Sequence, residues 1–225
     1  MNRLIIDNFT KKLISWLTCS KIVNENGGVY SWINCNKPGY VYHEIIGYYI
    51  KLLSYLYYKT SDKIYLDKAS KSVNYLYDNL GENNSMGRGE YQYVFDTAIC
   101  VSGIINFSNY NRLNNNQEIV LYRLVNFIYS SLKKKEVAYK NNRSIIKSNR
   151  WSFSYGPFLI KNAIALYEAS DYFDEEKYRE LSDSMITDIV KKTFREVYFS
   201  INQNHHYVYT HNHCYAVEGL LFLQS

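Results

Sequence analysis

The sequence predicts an all-α fold, an α/α toroid built from about four stacked helical hairpins, or eight helices. Three observations predict it. Gly47, Gly103, Asn162 and Gly219 recur at intervals of 56, 59 and 57 residues, each inside an apolar helical run that follows a polar, aromatic loop. Tyr65, Tyr122 and Tyr178 form a second ruler, 57 and 56 residues apart, each in the helix that follows. The segments also alternate between runs that are apolar nearly all round and runs that are amphipathic. One pitch is then two helices and two connections, and such hairpins bury their apolar faces only by stacking on one another.

The elements follow in order. Leu4 to Leu17 carries Leu4, Ile5, Phe9, Leu13, Ile14 and Leu17 at helical spacing, before a loop with Gly27, Gly28, Trp32 and Pro38. Tyr42 to Tyr58 reads as an inner helix. Asp62 to Leu80 reads as an outer one, capped by Ser61 or Asp62. The alternation repeats with Asp96 to Phe107 inside and Asn116 to Lys134 outside, then Gly156 to Ala169 inside and Asp174 to Lys192 outside. The eighth helix starts near Thr210.

Residues 1–225 are expected to form a single toroid-type domain. Complete toroids usually need five to seven hairpins, and this chain ends inside the apolar run EGLLFLQS. The expectation is a fragment truncated at its C-terminal end, or a partner or second copy of the chain that covers that end.

Composition bounds the function. The chain has 225 residues, 47% of them apolar, and only two prolines, which excludes disordered and collagen-like classes. Its 25 tyrosines accompany many Asn, Lys and Ile, a bias of composition more than of a site. The net charge of +5 is modest and scattered, and Lys133, Lys134 and Lys135 sit at a helix end where they favour the dipole, so no nucleic-acid partner is expected. No run approaches the roughly 20 apolar residues of a membrane span. Cys19, Cys35, Cys100 and Cys214 lack CxxC spacing, and MNRLIIDNFTKKLISW lacks a signal-peptide core, which predicts a reducing, cytoplasmic setting.

Polar and aromatic residues collect where loops run into inner helices: Trp32, Tyr40, Tyr42, His43 and Glu44, then Arg88, Tyr91, Tyr93 and Asp96. Trp151, Tyr155 and Lys161 follow, then His205, His206, Tyr209, His211, Asn212, His213, Tyr215 and Glu218. Sharing a phase of the repeat, they are expected at one end of the cavity. Such a mixture suits sugars, whose C–H faces stack on rings while their hydroxyls need polar partners, so an oligosaccharide or polysaccharide is the expected partner.

Glu44, Asp96 and Glu218 are candidate acid and base residues of a glycosidase, where two carboxyls flank the scissile bond. Asp96 equally suits a helix cap, and Glu218 a buried polar partner. His211, His213 and Tyr215 are the candidates for proton abstraction in elimination or epimerisation, with Arg88, Arg150 or Lys161 neutralising an acid. Trp32, Tyr42, His43, Tyr93, Trp151, Tyr155 and Asn212 complete the expected substrate-binding set. Adjacent His213 and Cys214 point in different directions on a helix and no fourth ligand is signalled, so no metal and no cofactor is expected. Asn212, His213 and Tyr215 resemble the Asn-His-x-Tyr arrangement of alginate-lyase-like toroids.

Four segments together resemble a known group. YHEIIGY (Tyr42 to Tyr48) resembles YPExTGY, VFDTAICVSGI (Val94 to Ile104) resembles VFDTGxVxxGL, and THNHCYAVEGLL (Thr210 to Leu221) resembles THxxAYxxEGLL. TSDKIYLDKA (Thr60 to Ala69) resembles the outer-helix pattern TGDEKYLExA. These mark the six-hairpin glycosidase-like, or α/α toroid, proteins associated with bacterial surface-polysaccharide biosynthesis, whose wider relatives include unsaturated glucuronyl hydrolases and N-acylglucosamine 2-epimerases. The resemblance implies carbohydrate metabolism without fixing a reaction, and carries Glu44, Asp96, His211, Tyr215 and Glu218 as site residues. Two departures stand out: His43 replaces the usual proline, and the final hairpins, one of which supplies a catalytic histidine in the epimerase relatives, are absent. Three functions remain open: glycoside hydrolysis, lyase or epimerase chemistry, and noncatalytic glycan binding or assembly.

Overall fold

A computed structural model describes residues 8–35, 37–81, 83–145, 150–204 and 207–224. Within them, helices alternate between two layers. The outer layer holds α1 (Asn8–Leu17), α3 (Lys63–Asp78), α5 (Asn115–Lys133) and α7 (Lys177–Thr193). The inner layer holds α2 (His43–Thr60), α4 (Val94–Ser108), α6 (Asn162–Phe173) and α8 (Thr210–Phe222). Inner helices pack in sequence, α2 on α4 and α4 on α6, with α8 lying on α6 and on the 3-10 turn Pro157–Lys161 that leads into it. The chain is an α/α toroid of four hairpins.

The layers follow from the patterns. Helix α3 buries Ala69, Ser72, Val73 and Leu76, a single stripe at spacings of three and four, and α5 does the same with Leu121, Leu124, Val125, Ile128 and Leu132. Helix α4 is buried on almost every side from Val94 to Phe107, because other helices surround it. Each large aliphatic side chain so buried stabilises the fold by about 1.5–3 kcal/mol. Local chemistry sets the ends. The Asp62 side chain accepts from the Ile64 amide to start α3, and Asn114 and Gln117 form a reciprocal capping box at α5. Ser61 and Asp174 close α2 and α6 in the left-handed conformation, with φ of 59° and 54°. Asp174 therefore ends one helix, where the sequence suggested that it begins the next.

The repeating small residue marks where inner helices meet. A Cβ at Gly47 would lie 2.5 Å from the Ile99 carbonyl oxygen of α4, and one at Gly219 would lie 2.7 Å from that of Ile160. Asn162, in the same slot of the third hairpin, is fully buried, and its carboxamide finds no partner among the described residues. The tyrosine ruler holds in sequence but not in environment. Tyr178 is wholly buried and donates to Asn126 Oδ1, whereas Tyr122 is exposed and sits two turns into α5.

The rim contains strands that helical periodicity does not announce. β1 (Ile33–Asn34) pairs with β2 (Lys37–Pro38), and β7 (Phe194–Arg195) with β8 (Tyr198–Phe199). Between them, β3 (Gly87–Arg88), β4 (Tyr91–Tyr93), β5 (Ala138–Lys140) and β6 (Arg143–Ser144) form one antiparallel sheet, joining the rim loops of two hairpins. Asn141 and Asn142, both at positive φ, make the two-residue turn between β5 and β6. Among the described residues no helix is long and apolar enough to cross a membrane.

Candidate functional site

Two inner helices start alike. Tyr42 before α2 and Tyr93 before α4 are extended, with no side-chain cap bond, and each is followed by an acid in the first helical turn, Glu44 and Asp96. A helix N-terminus favours negative charge there. Yet both acids are buried, at 8% and 3% exposure, and Asp96 Oδ2 has no hydrogen-bond partner among the described residues. Burial, and then the Glu44 charge, push the Asp96 carboxyl well above its usual range, against the smaller opposing pull of Arg88 and Tyr42.

The two carboxyls line a pocket of about 240 Å³ with Tyr42, Arg88, Tyr93, Phe95, Trp151, Ser152, Phe158 and Tyr215. Tyr215 donates to Glu44 Oε1 at 3.3 Å, and its ring lies 4.9 Å from that of Phe95. Burial and the neighbouring Glu44 raise the Tyr215 pKa, and burial with Asp96 and Glu44 raises that of Tyr42, so both phenols hold their protons. Arg88, on β3, donates to Tyr40 and lies over the rings of Tyr40 and Tyr42 at 5.1 and 5.8 Å. Trp151 meets Phe158 edge-on at 5.3 Å. The pocket thus joins two acids, one cation and aromatic walls, the combination that sugar recognition uses.

Below it, Lys161 donates to Glu218 at 2.6 Å while its ammonium sits 4.4 Å from the Tyr48 ring and 4.8 Å from that of Tyr215. Lys161 is 6% exposed and Glu218 56%, so the cation is the buried partner. Burial pulls the Lys161 pKa down, opposed by Glu218. A further polar cluster bridges three inner helices. Glu168 of α6 accepts from Lys51 of α2 at 3.2 Å, from Asn106 of α4 at 2.9 Å, and from Ser102 of α4.

The structure therefore brings together Tyr42, Glu44, Arg88, Tyr93, Asp96, Trp151 and Tyr215, with Lys161 and Glu218 adjoining. His211 stacks edge-on against Trp151 at 4.4 Å, at the margin. Asn212 is buried behind it with its carboxamide unpaired among the described residues. Other expected members lie elsewhere. His43 bonds the Gly87 carbonyl through Nδ1 at 2.6 Å, tying α2 to β3. His213 Nδ1 accepts from the Phe199 amide at 3.3 Å and so faces the β7–β8 hairpin. Trp32 lines a larger apolar groove of about 590 Å³ against α1 and α2, and Tyr155 lines a separate cleft. His205 and His206 lie outside the described residues. Sequence reasoning missed Phe95, Ser152 and Phe158, although Phe95 directly neighbours Asp96 and Ser152 directly neighbours Trp151. It also missed Lys51, Ser102 and Glu168, whose signal is a polar side chain on an otherwise apolar inner helix. No group of three His, Cys, Asp or Glu side chains among the described residues is placed to hold a metal ion.

Solved structures share this architecture, two of them as follows. A GH76 alpha-mannanase from Bacteroides thetaiotaomicron aligns with a TM-score of 0.61 at 10% identity, covering 81% of this chain and 52% of that one. A sugar epimerase from a ruminal bacterium aligns at 0.62 with 16% identity, covering 85% and 56%. The chain spans about half the length of each. No protein-family model and no curated protein matches the sequence. At these identities the likeness is one of fold: the chain has the α/α toroid architecture that a mannanase and a sugar epimerase also have.

Proposed function

We propose that the protein is a carbohydrate-active enzyme that hydrolyses a glycosidic bond in the Glu44–Asp96 pocket. The observation that carries this reading is the pairing of two buried carboxyls in one aromatic-walled pocket, where burial and the charge of Glu44 push the Asp96 carboxyl well above its usual range. A carboxyl raised by burial beside a second carboxylate is a general feature of acid catalysts. In this reading Asp96 donates its proton to the leaving glycosidic oxygen, the Glu44 carboxylate takes a proton from the water that adds to the anomeric carbon, and Trp151, Tyr93 and Phe158 hold the ring.

Proton abstraction by Tyr215 or His213 fits less well. Tyr215 donates to Glu44 and has a raised pKa, the opposite of what a phenolate base needs, and His213 is engaged by the Phe199 amide. The test is mass spectrometry of bacterial surface oligosaccharides incubated with the protein in heavy water enriched in oxygen-18. Cleavage with oxygen-18 uptake is expected. Cleavage without it would make the protein a lyase, and carbon-bound deuterium without cleavage an epimerase. Saturable binding with no chemical change would make it a noncatalytic glycan-binding subunit.

A further inference from the structure

Arg88 reaches the Glu44–Asp96 pocket from a two-residue strand, and the chain neighbours of the two acids hold that strand. His43 directly precedes Glu44, and its Nδ1 meets the Gly87 carbonyl oxygen at 2.6 Å. Thr97 directly follows Asp96, and its Oγ1 accepts from the Met86 amide at 2.9 Å. Met86 and Gly87 lead straight into Arg88, so the segment that carries the cation is fastened once beside each acid.

Neither bond is loose. A carbonyl oxygen can only accept, so Nδ1 of His43 carries a proton and donates it. Burial lowers the His43 pKa, against a smaller opposing effect of the Gly87 bond, which keeps the ring neutral near pH 7. The His43 carbonyl in turn accepts from the buried Cys100 thiol of α4 at 3.1 Å. Thr97 is fully buried, and its hydroxyl donates to the Tyr93 carbonyl at 2.8 Å while accepting from Met86. The Tyr93 amide completes the circuit by donating to the Met86 carbonyl at 2.9 Å. A Cβ on Gly87 would overlap the Tyr91 carbonyl oxygen, so β3 lies flush against β4. From this base the Arg88 guanidinium bonds Tyr40 and covers the rings of Tyr40 and Tyr42, and its charge acts on Asp96.

We infer that His43 and Thr97 are positioning residues of the pocket: they hold the segment from Met86 to Arg88 so that the Arg88 guanidinium keeps a fixed place relative to both carboxyls. Neither residue lines the pocket itself. The inference rests on the reading of the pocket as an acid–base site, because a reacting centre needs its groups held within about 0.5 Å of the productive geometry.

The test follows the Asp96 carboxyl by carbon-13 nuclear magnetic resonance as pH is varied, with no substrate present. Arg88→Gln is expected to raise the Asp96 midpoint, since the guanidinium pulls it down. His43→Phe and Thr97→Val each delete one bond at nearly constant shape, and both should raise the midpoint in the same direction. Added to Arg88→Gln, neither should raise it further. His43→Asn keeps a donor near the Nδ1 position and Thr97→Ser keeps the hydroxyl, so both should return the midpoint to that of the parent. The parent's own nitrogen-15 spectrum should place the His43 proton on Nδ1. A proton on Nε2 alone, an unmoved midpoint in variants that merely melt earlier, or a rise that persists at full size on top of Arg88→Gln overturns the inference. If His43→Phe does not fold, Thr97→Val against Thr97→Ser makes the same comparison from the other bond. Oxygen-18 uptake into a glycan with an unmoved midpoint sinks the positioning role alone. A midpoint shift that depends on Arg88, with no glycan turned over, sinks the hydrolytic reading alone.

Discussion

Gly103 lies against the backbone of Gly47: a Cβ added to Gly103 would stand 2.6 Å from the Gly47 carbonyl oxygen and 3.1 Å from its Cα. Helices α2 and α4 meet there through peptide groups with no side chain between them. Gly103→Ala has only backbone to displace, so it is expected to destabilise the fold by about 1–3 kcal/mol through overpacking. Urea unfolding of the variant measures this, and a midpoint equal to that of the parent protein would contradict it.

Asp96→Asn separates chemistry from folding. If Asp96 is the general acid, turnover falls by about 10²–10⁴-fold while glycan binding survives. Stability moves the other way. The folded-state pKa of Asp96 is raised, so its contribution is intact below the unfolded-state value and is lost as pH rises through the folded-state value. The variant escapes that loss. Its melting temperature relative to the parent should therefore be higher at pH 8 than at pH 4, and thermal melts at the two pH values read the difference directly.

The same assignment predicts the pH–rate profile. Activity should decline on the alkaline side as the buried Asp96 carboxyl ionises, at a pH well above that of an ordinary aspartate. An alkaline limb that persists unchanged in a weakly active Asp96→Glu variant would point to another acid.

Lys161 and Glu218 should respond unequally to truncation. Glu218→Ala strands a buried ammonium, costing about 1–3 kcal/mol, whereas Lys161→Met leaves an exposed carboxylate in water and fills the space between Tyr48 and Tyr215. Calorimetric melts that rank the two variants in the reverse order would show that the salt bridge is not what holds Lys161 in place.

Glu168 gathers donors from two neighbouring helices. Glu168→Ala removes the acceptor shared by Ser102, Asn106 and Lys51 and is expected to cost about 2 kcal/mol, with Glu168→Gln costing less because one carbonyl acceptor remains. Guanidinium titrations of the two variants compare these costs.

The helices were legible because burial imposes a period. The stripe Ala69, Ser72, Val73, Leu76 and the slot shared by Gly47, Gly103 and Gly219 are local consequences of packing, and each leaves its mark within a few residues. Most of the pocket lining was legible for the same reason, since Glu44 and Asp96 follow tyrosines at matching helix starts. Trp32, Tyr155 and His213 went astray because the phase of a repeat tells which end of the cavity a loop occupies, not which side of that loop a side chain faces. The sheet escaped notice because β4 pairs with β5, about 45 residues later, and two or three residues of strand carry almost no periodicity. The Lys51–Glu168 pair spans 117 positions, and nothing near either residue announces the other.

The glycine contacts also bear on how such a cavity changes over time. Where α2 meets α4, and where α8 meets the turn before α6, the separation is set by peptide units that every sequence possesses. Substitutions among the lining residues can then alter the chemistry of the interior while its width stays fixed. The inner layer behaves as a frame of constant gauge into which different walls can be fitted, so a shift in ligand preference calls for no redesign of the scaffold.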